Sequence, residues 1–547
     1  MPMIGADDAA VAVIRRFDHA VSLRGNWESH WEEIARRVLT HYSGSFTSGG
    51  MTRTQGEKRT EDMVDATAAL ALPKFASVME SMNTPRNSRW QRVIPTDRAL
   101  LKNRGVRLWF EDVTDILFNF RNAPLANFSG QMFEKYQSLG AFGTGVIFTD
   151  RLRDGGLRYR AIPLGEIYFL ENHQGLIDTA FRRFPLTARQ AKQWFGEDRL
   201  PDKVKAALKD TANPSAADKE FWFIHCVKPR EDYDPDRRDV KGMLYASQYV
   251  NVEEKVMVRE EGYNSFPYSI SRYVQAPGEL YGRSPAMLAL PAIKTLNEEK
   301  RTVLKQGHRI VDPVLLAHDD GVIDTFSLRP GAVNAGGVNA DGRVLVHALP
   351  TGNLALAPEM MDAERLVIHD SFLVNLFQVL LDSPVMTATQ VLEMAKEKNV
   401  LLSPTMGREQ NVLSQQTERE LDLLAMQGLL PPMPQILLAA QGQYQIEYDS
   451  PLSRAQKAEN AAGLFRAVDW MAATINITQD PSPLDWVNWD EAVPAIMDIQ
   501  AVPHRWQNSL DQVQAIREGR AQARQEQQMI DAAPAMASVS KQMMPAA

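Results

Sequence analysis

The sequence predicts a mixed α+β chain, mainly helical and built from several modules. Three observations predict it. Helix-period apolar patterns occupy both ends, short β-type runs alternate with turns between about residues 140 and 275, and cap-and-proline signals delimit further helices downstream. At 547 residues the chain exceeds what one hydrophobic core organises. Its 44% hydrophobic and 23% charged residues are a globular composition, not that of a disordered polymer.

Residues 7 to 42 read as helices, with Ile14, Phe17 and Val21 on one face, then Trp27, Trp31, Ile34 and Val38. Residues 43 to 56, with Ser43, Gly44, Ser48, Gly49 and Gly50, read as a polar loop. A helix is expected from about Thr60 to Met82, with Phe75, Val78 and Met82 inward. The runs Gly145 to Thr149, Tyr159 to Ile162, Phe221 to Val227, Met243 to Val250 and Lys255 to Arg259 then suggest a small sheet or barrel.

Ser284-Pro285 places a capping residue before a proline at the first helical position. That helix continues through Ile293, Leu296 and Leu304 to about His308, and residues 309 to 356 return to β-type, glycine-rich sequence. Pro358 opens a second helix with Ile368, Phe372, Leu376 and Leu380 at spacing four, broken at Asp382-Ser383-Pro384. Thr387 and Gln390 form a capping box for a long helix that ends at Gly428, before Pro431-Pro432. Inside it, Pro404 removes a hydrogen bond at a cost of roughly 3 kcal/mol, so a kink is expected. Residues 508 to 529 read as a Gln/Arg/Glu-rich helix, and the Ala/Pro/Met-rich end as a disordered tail.

Composition narrows the function classes. The single cysteine, Cys226, allows no internal disulfide and no Cys-rich metal site. The N-terminus lacks the basic start and apolar core of a signal peptide. The most apolar stretch, Ser371 to Met386, is interrupted by Asn375, Gln378 and Asp382, so no membrane span and a soluble intracellular protein are expected. Net charge is −8. A tight, static DNA binder is usually basic, because affinity comes from phosphate neutralisation. A protein that surrounds DNA and lets it slide is compatible with that balance.

Chemistry-bearing patterns are sparse, and no cofactor or metal is expected. Asp236, with Glu253 and Lys255 downstream, fits the loose pattern of a metal-dependent nuclease, but Asn251-Val252-Glu253-Glu254 reads as a hairpin turn. Asp232, Asp234, Asp236 and Asp239 mimic a calcium loop, yet Arg237 stands at the required glycine and Met243 at the required glutamate. His19, His30 and His41 recur every eleven residues, about 16 Å apart on a continuous helix, too far for one metal. Gly140, Gly143 and Gly145 invert the dinucleotide fingerprint and lead from helix to strand. No Gly-Lys pair exists, so no P-loop is present. No nucleophile, base and orienter arrangement is evident, so the expectation is a non-enzyme. The helix from Ser284 carries Lys294, Lys300, Arg301, Lys305 and Arg309 against Glu298 and Glu299, a basic helix in an acidic protein. Phosphate contact is one reading of it and salt bridges to neighbouring subunits the other.

Several segments, in order, carry a family resemblance. They are Asn83-Thr84-Pro85-Arg86-Asn87-Ser88-Arg89-Trp90, Gly140-Ala141-Phe142-Gly143-Thr144-Gly145, Pro163-Leu164-Gly165-Glu166-Ile167-Tyr168 and Asp178-Thr179-Ala180-Phe181-Arg182. Tyr281-Gly282-Arg283-Ser284-Pro285, Ile293-Lys294-Thr295-Leu296-Asn297, Leu328-Arg329-Pro330-Gly331, Met386-Thr387-Ala388-Thr389-Gln390-Val391 and Ser450-Pro451-Leu452-Ser453-Arg454-Ala455-Gln456 follow. Each is weak alone, but their order and spacing are specific. The chain thereby resembles the head-to-tail connector, or portal, proteins of short-tailed bacteriophages. Gln390 departs from the acid expected there, and it serves a capping box equally well.

The resemblance implies a ring of about twelve subunits at the unique vertex of the virion capsid, formed in the host cytoplasm, with double-stranded DNA passing through it. Terminase, scaffold, the major capsid protein and tail adaptor proteins are the implied partners. It also implies a division of the chain. Residues 1–283 would be the wing, with its small β-barrel or sheet at about 140–275. Residues 284–308 and 357–381 would be two stem helices around a clip at 309–356. The tunnel loop would be Asp382, Ser383, Pro384, Val385 and Met386, followed by a long kinked wing helix at 387–430. Residues 431–530 would form the crown, and 531–547 the disordered tail. A tail adaptor ring is the structural alternative, and the nuclease the alternative from another class.

Overall fold

A computed structural model describes residues 7–46, 56–86, 88–210, 213–317, 327–350, 357–375, 388–440, 442–448, 451–478, 482–499, 502, 504–508 and 512–527. Helix α1 (Asp8–Ser22) starts where the Asp7 side chain accepts from the Ala9 amide, and it buries Ala10, Val13, Phe17 and Ala20. Helix α2 (Gly25–Ala35) buries Trp31 and Ile34, as their spacing predicts. Helix α3 (Thr67–Asn83) begins later than the expected Thr60, because the Asp65 carboxylate accepts from the Thr67 amide and sets the first turn there. Strand β1 (Gln91–Pro95) and helix α4 (Arg104–Arg121) follow, and then helix α5 (Phe128–Phe142), which stops at Gly143 with a φ of 77°.

The β-type region resolves into two antiparallel sheets. Strands β2 (Thr144–Arg151) and β3 (Leu157–Ala161) join the later β9 (Tyr268–Arg272) in the order β3-β2-β9. Strands β4 (Ile167–Glu171), β5 (Ile177–Thr187), β6 (Glu220–Pro229), β7 (Tyr245–Asn251) and β8 (Val256–Tyr263) form the second sheet in sequence order. Between β5 and β6, helices α6 (Ala188–Phe195) and α7 (Asp202–Lys209) cover one face of that sheet, packing Ala191, Phe195 and Val204 onto Phe184, Phe221 and Phe223. Helix α1 covers the other face, packing Val13 and Phe17 onto Tyr168, Phe181, Ile224 and Cys226. Phe223 and Ile224 thus point into different cores, which is why the sequence there is a continuous apolar run.

Helix α8 (Pro285–Val311) and helix α9 (Ala357–Ser371) flank a short antiparallel pair, β10 (Leu315–Ala317) and β11 (Val346–Ala348). Helix, β-type segment and helix follow one another in that order, and α9 ends at Ser371. Leu373 takes a φ of 61°, in the left-handed region that interrupts an α-helix. Residues 382–386, expected as the tunnel loop, and the tail from 531 lie outside the described residues. Helix α10 (Ala388–Met426) continues through Pro404 and ends before Gly428, whose φ is 68°.

The described chain divides into two compact units, residues 1–86 with 121–427, and residues 87–120 with 428–547. Within the second, helix α11 (Gln435–Ala439) precedes strand β12 (Tyr444–Tyr448), which pairs antiparallel with β1. Trp90 meets Phe118 edge-on at 5.7 Å and stacks with Tyr448 at 6.3 Å. Helices α12 (Pro451–Thr478) and α13 (Trp489–Ile499) and a helical stretch at 512–527 complete this unit. Residues 87–120 belong to this unit because β1 completes its hydrogen bonds with a strand some 350 residues downstream.

Candidate functional site

The candidate site is the α8–α9 pair, and it begins at a junction built from segments distant in sequence. Gly143 and Gly282 approach so closely that a Cβ on Gly143 would stand 2.1 Å from the Gly282 carbonyl oxygen. The Tyr273 amide donates to the Gly143 carbonyl (2.9 Å), and the Gly282 amide donates to Thr144 Oγ1 (3.0 Å). The Ser284 hydroxyl works twice: it accepts from the Met287 amide (2.9 Å), capping α8, and donates to the Ala141 carbonyl (2.8 Å). Tyr281 lies against Trp31 at 5.0 Å and Phe169 at 4.5 Å, and the Trp31 indole donates to the Phe142 carbonyl (3.1 Å). The glycine triplet is thus a packing crossing at a helix-to-strand turn, with its backbone pressed against another backbone.

From that junction α8 runs outward. Its first half buries Ala289, Ile293, Leu296 and Asn297. The Asn297 side-chain oxygen accepts from the amides of Val64 (2.7 Å) and Asp65 (3.0 Å), while its amide nitrogen donates to the Ile293 carbonyl (2.7 Å). The buried Asp65 carboxylate then accepts from Lys300 of α8 (3.1 Å) and Arg365 of α9 (3.2 Å). Burial alone raises the pKa of this carboxyl. Hydrogen bonds from Thr67, Lys300 and Arg365 outweigh burial and hold it well below the usual carboxylate range. One side chain therefore ties both helices to the start of α3.

The five basic residues expected to face DNA divide into two groups. Lys294 pairs with Glu33 (2.8 Å), and that hydrogen bond lowers the Glu33 carboxyl. Lys300 pairs with Asp65, and Arg301 pairs with Glu298 one turn back. Lys305 and Arg309 are exposed, with no ion pair or hydrogen bond to the described residues. Asp65, Glu33 and Arg365 were not marked by the sequence, because their partners lie far along the chain and follow no local spacing.

The alternative chemistries fail on geometry. Asp236 lies in the loop between β6 and β7, and Glu253 and Lys255 lie in the turn between β7 and β8. Those are opposite ends of the seven-residue β7, roughly 20 Å apart. Glu254 accepts from the amides of Asp202 (2.9 Å) and Lys203 (2.7 Å), a capping role at α7. In the acidic loop Asp232 pairs with Lys241 (3.0 Å), Asp239 pairs with Arg237, and Asp234 accepts from the Asp236 amide. His19 lies on α1, His30 on α2 and His41 in a separate 3₁₀ turn, so they share no continuous helix.

Residues 10–506 match the family of bacteriophage head to tail connecting proteins. The chain belongs to that family. Among similar connectors, a probable portal protein of Bordetella phage BPP-1 is 28% identical over 529 residues, covering 94% of this chain and 91% of that protein. The portal protein of Salmonella phage epsilon15 is 27% identical over 529 residues, covering 95% and 92%. In this connector, segments that carried the resemblance converge in space. Arg24, buried between α1 and α2, donates to the carbonyls of Leu164 (2.8 Å) and Ile167 (2.7 Å), and Arg182 pairs with Glu166 (2.9 Å). The Pro163–Tyr168 and Asp178–Arg182 segments thus meet each other, as Gly140–Gly145 meets Tyr281–Pro285. These segments form one core that positions α8.

Proposed function

We propose that this connector is a portal subunit, one of about twelve that form the ring at the unique capsid vertex through which phage DNA is packaged and ejected. The observation that carries the reading is the coextensive match to two portal proteins, over nine-tenths of this chain and of each relative. The α8, β10–β11, α9 arrangement supports a stem and clip, with residues 1–283, 387–430 and 431–530 contributing wing and crown. A heterologous interface between identical subunits closes into a ring when its rotation permits. Lys305 and Arg309, free of carboxylates in the described chain, are the cations of α8 available to phosphates in the channel. The loop Asp382 to Met386 would project towards the DNA and contact it sterically, since it offers no phosphate anchor beyond Ser383. Terminase, scaffold and major capsid protein, and later the tail adaptor proteins, are the partners this role requires. The function is conduction and attachment, with no catalysis.

Class-averaged electron microscopy of the purified protein tests the reading. Closed rings with a central hole are expected. A strictly monomeric mass across several salt conditions would overturn it.

A further inference from the structure

The two sheets of the β-type region meet along a seam that holds a histidine. The five-stranded sheet has helical cover of its own, α6 and α7 on one face and α1 on the other. The three-stranded sheet turns its far face to α5, where Gly145 of β2 lies against the Lys135 backbone. His225 stands in the seam on β6, 2% exposed and two residues past Phe223, which α6 still covers through Phe195. Its Nδ1 lies 2.7 Å from the Tyr268 hydroxyl on β9, across the seam, and its Nε2 lies 2.9 Å from Ser247 Oγ on β7. Tyr249 stacks on the ring at 4.2 Å, and Phe148 of β2 meets it edge-on at 6.0 Å.

The charge nearest the ring is positive. Arg182, the cross-strand neighbour of His225 on β5, brings a cation to the same face, and its counter-charge Glu166 is already taken up by that pair. The other titratable neighbours are the hydroxyls of Tyr249 on β7, Tyr263 on β8 and Tyr268 on β9, all raised by burial. Farther out, Arg160 of β3 adds a cation towards Tyr268, and Arg419 lies over the Tyr263 ring at 4.5 Å with Asp150 near it. Burial first, and then Arg182, lowers the imidazole to about 3, so the ring is neutral at pH 7. A neutral imidazole donates from one nitrogen and accepts at the other, which suits a bridge between two hydroxyls.

We propose that neutral His225 clasps the three-stranded sheet to the five-stranded one, and that protonation releases the clasp. A second proton would place an imidazolium beside Arg182 in the seam, whereas an opened seam lets water solvate it. The sheets part there while the strand pairing within each is kept, because each retains its own helical core. The release bears on α8. Tyr268 is on the strand that runs into Tyr273, whose amide holds the Gly143 carbonyl at the junction from which α8 starts. At the other end of β9 the Arg272 guanidinium meets Glu171 of β4, a partly exposed tie that the release of Tyr268 does not touch. The clasp lies within one subunit and stands whether or not the chain forms rings.

A cysteine in the seam reads the opening. Ile270 lies on the same face of β9 as Tyr268, so Ile270→Cys reports exposure of that face to dithiodipyridine, a thiol reagent active in acid. Native Cys226 is buried on the opposite face of the five-stranded sheet, under α1, and reports unfolding of that core. The open form takes the proton first, so the clasp is complete above about pH 6.5 and weakens as pH falls towards about 3. Opening at the engineered thiol should therefore rise about 25-fold from pH 7 to pH 5, with Cys226 still protected. His225→Gln keeps a donor and an acceptor and cannot titrate, so its opening should change less than about threefold over the same range. Equal rises at the engineered thiol and at Cys226 would show global unfolding and overturn the clasp. So would labelling of the Ile270→Cys protein that ignores pH, or a rise that survives His225→Gln and thereby belongs to another group such as Asp150. Where His225→Gln does not fold, imidazole nitrogen NMR of the parent decides. One proton on His225 at pH 7, and a second gained only as the seam opens, uphold the clasp. A doubly protonated ring in the closed seam at pH 7 overturns it.

Discussion

Asp65→Asn isolates the tie between α8, α9 and α3. The asparagine oxygen can still accept from the Thr67 amide, so the start of α3 is retained, while the charge opposite Lys300 and Arg365 is lost. Hydrogen bonds to a charged group contribute about 1.5–3 kcal/mol each, and exposed ion pairs about 0–1 kcal/mol. Here the carboxylate is buried and each cation is about one-third exposed, so the two contacts together contribute roughly 2 kcal/mol. A factor of ten corresponds to about 1.4 kcal/mol, so local opening of the two helices should rise roughly 30-fold. Amide hydrogen exchange over residues 298–311 and 357–371 reads this as an equal loss of protection. The pH dependence has a definite sign. The folded carboxyl titrates below its unfolded value, so its contribution is complete above about pH 4 and fades as pH falls towards the folded pKa. The difference between parent and variant should therefore be full at pH 7 and shrink below about pH 4. Protection within about threefold of the parent at pH 7, or a difference that persists in acid, would refute the tie.

Three further outcomes follow from the same structure. Lys135 and Glu409 form a fully buried pair at 2.6 Å, so Lys135→Met should cost about 3–5 kcal/mol by stranding Glu409, and Glu409→Met added to it should recover most of that in thermal unfolding. Gly143→Ala places a methyl group on the Gly282 carbonyl and should leave little soluble protein, whereas Gly175→Ala, at nearly the same φ but in open space, should cost only about 1–2 kcal/mol. Equal behaviour of the two would show that backbone strain alone matters. Lys305→Gln with Arg309→Gln should leave rings and thermal unfolding unchanged but alter the salt dependence of DNA packaging. Packaging that follows the parent at every salt concentration would remove these cations from the channel.

Much of the fold could be read along the chain because its signals are local. Ser284-Pro285 starts α8, Gly428 stops α10, and the spacing of Trp31, Ile34 and Phe17 predicts the buried faces of the first helices, each through contacts within one or two turns. The order of short segments likewise pointed to the connector family. The site was only partly legible. Lys294, Lys300 and Arg301 were visible as a basic helix, and nothing local showed that they are paired while Lys305 and Arg309 have no counter-charge among the described residues.

That distinction, the partition of residues 87–120 with 428–547, and the strands β4, β5 and β9 were decided by tertiary structure. A strand's hydrogen bonds and a lysine's counter-charge are satisfied by whatever the fold brings near. Lys300 had 68 acidic residues to choose among, and the one it meets is 235 positions away. Helical period and capping act over a few residues and are written in order. Ion pairing and strand pairing act through space, and only the packed chain sets those distances.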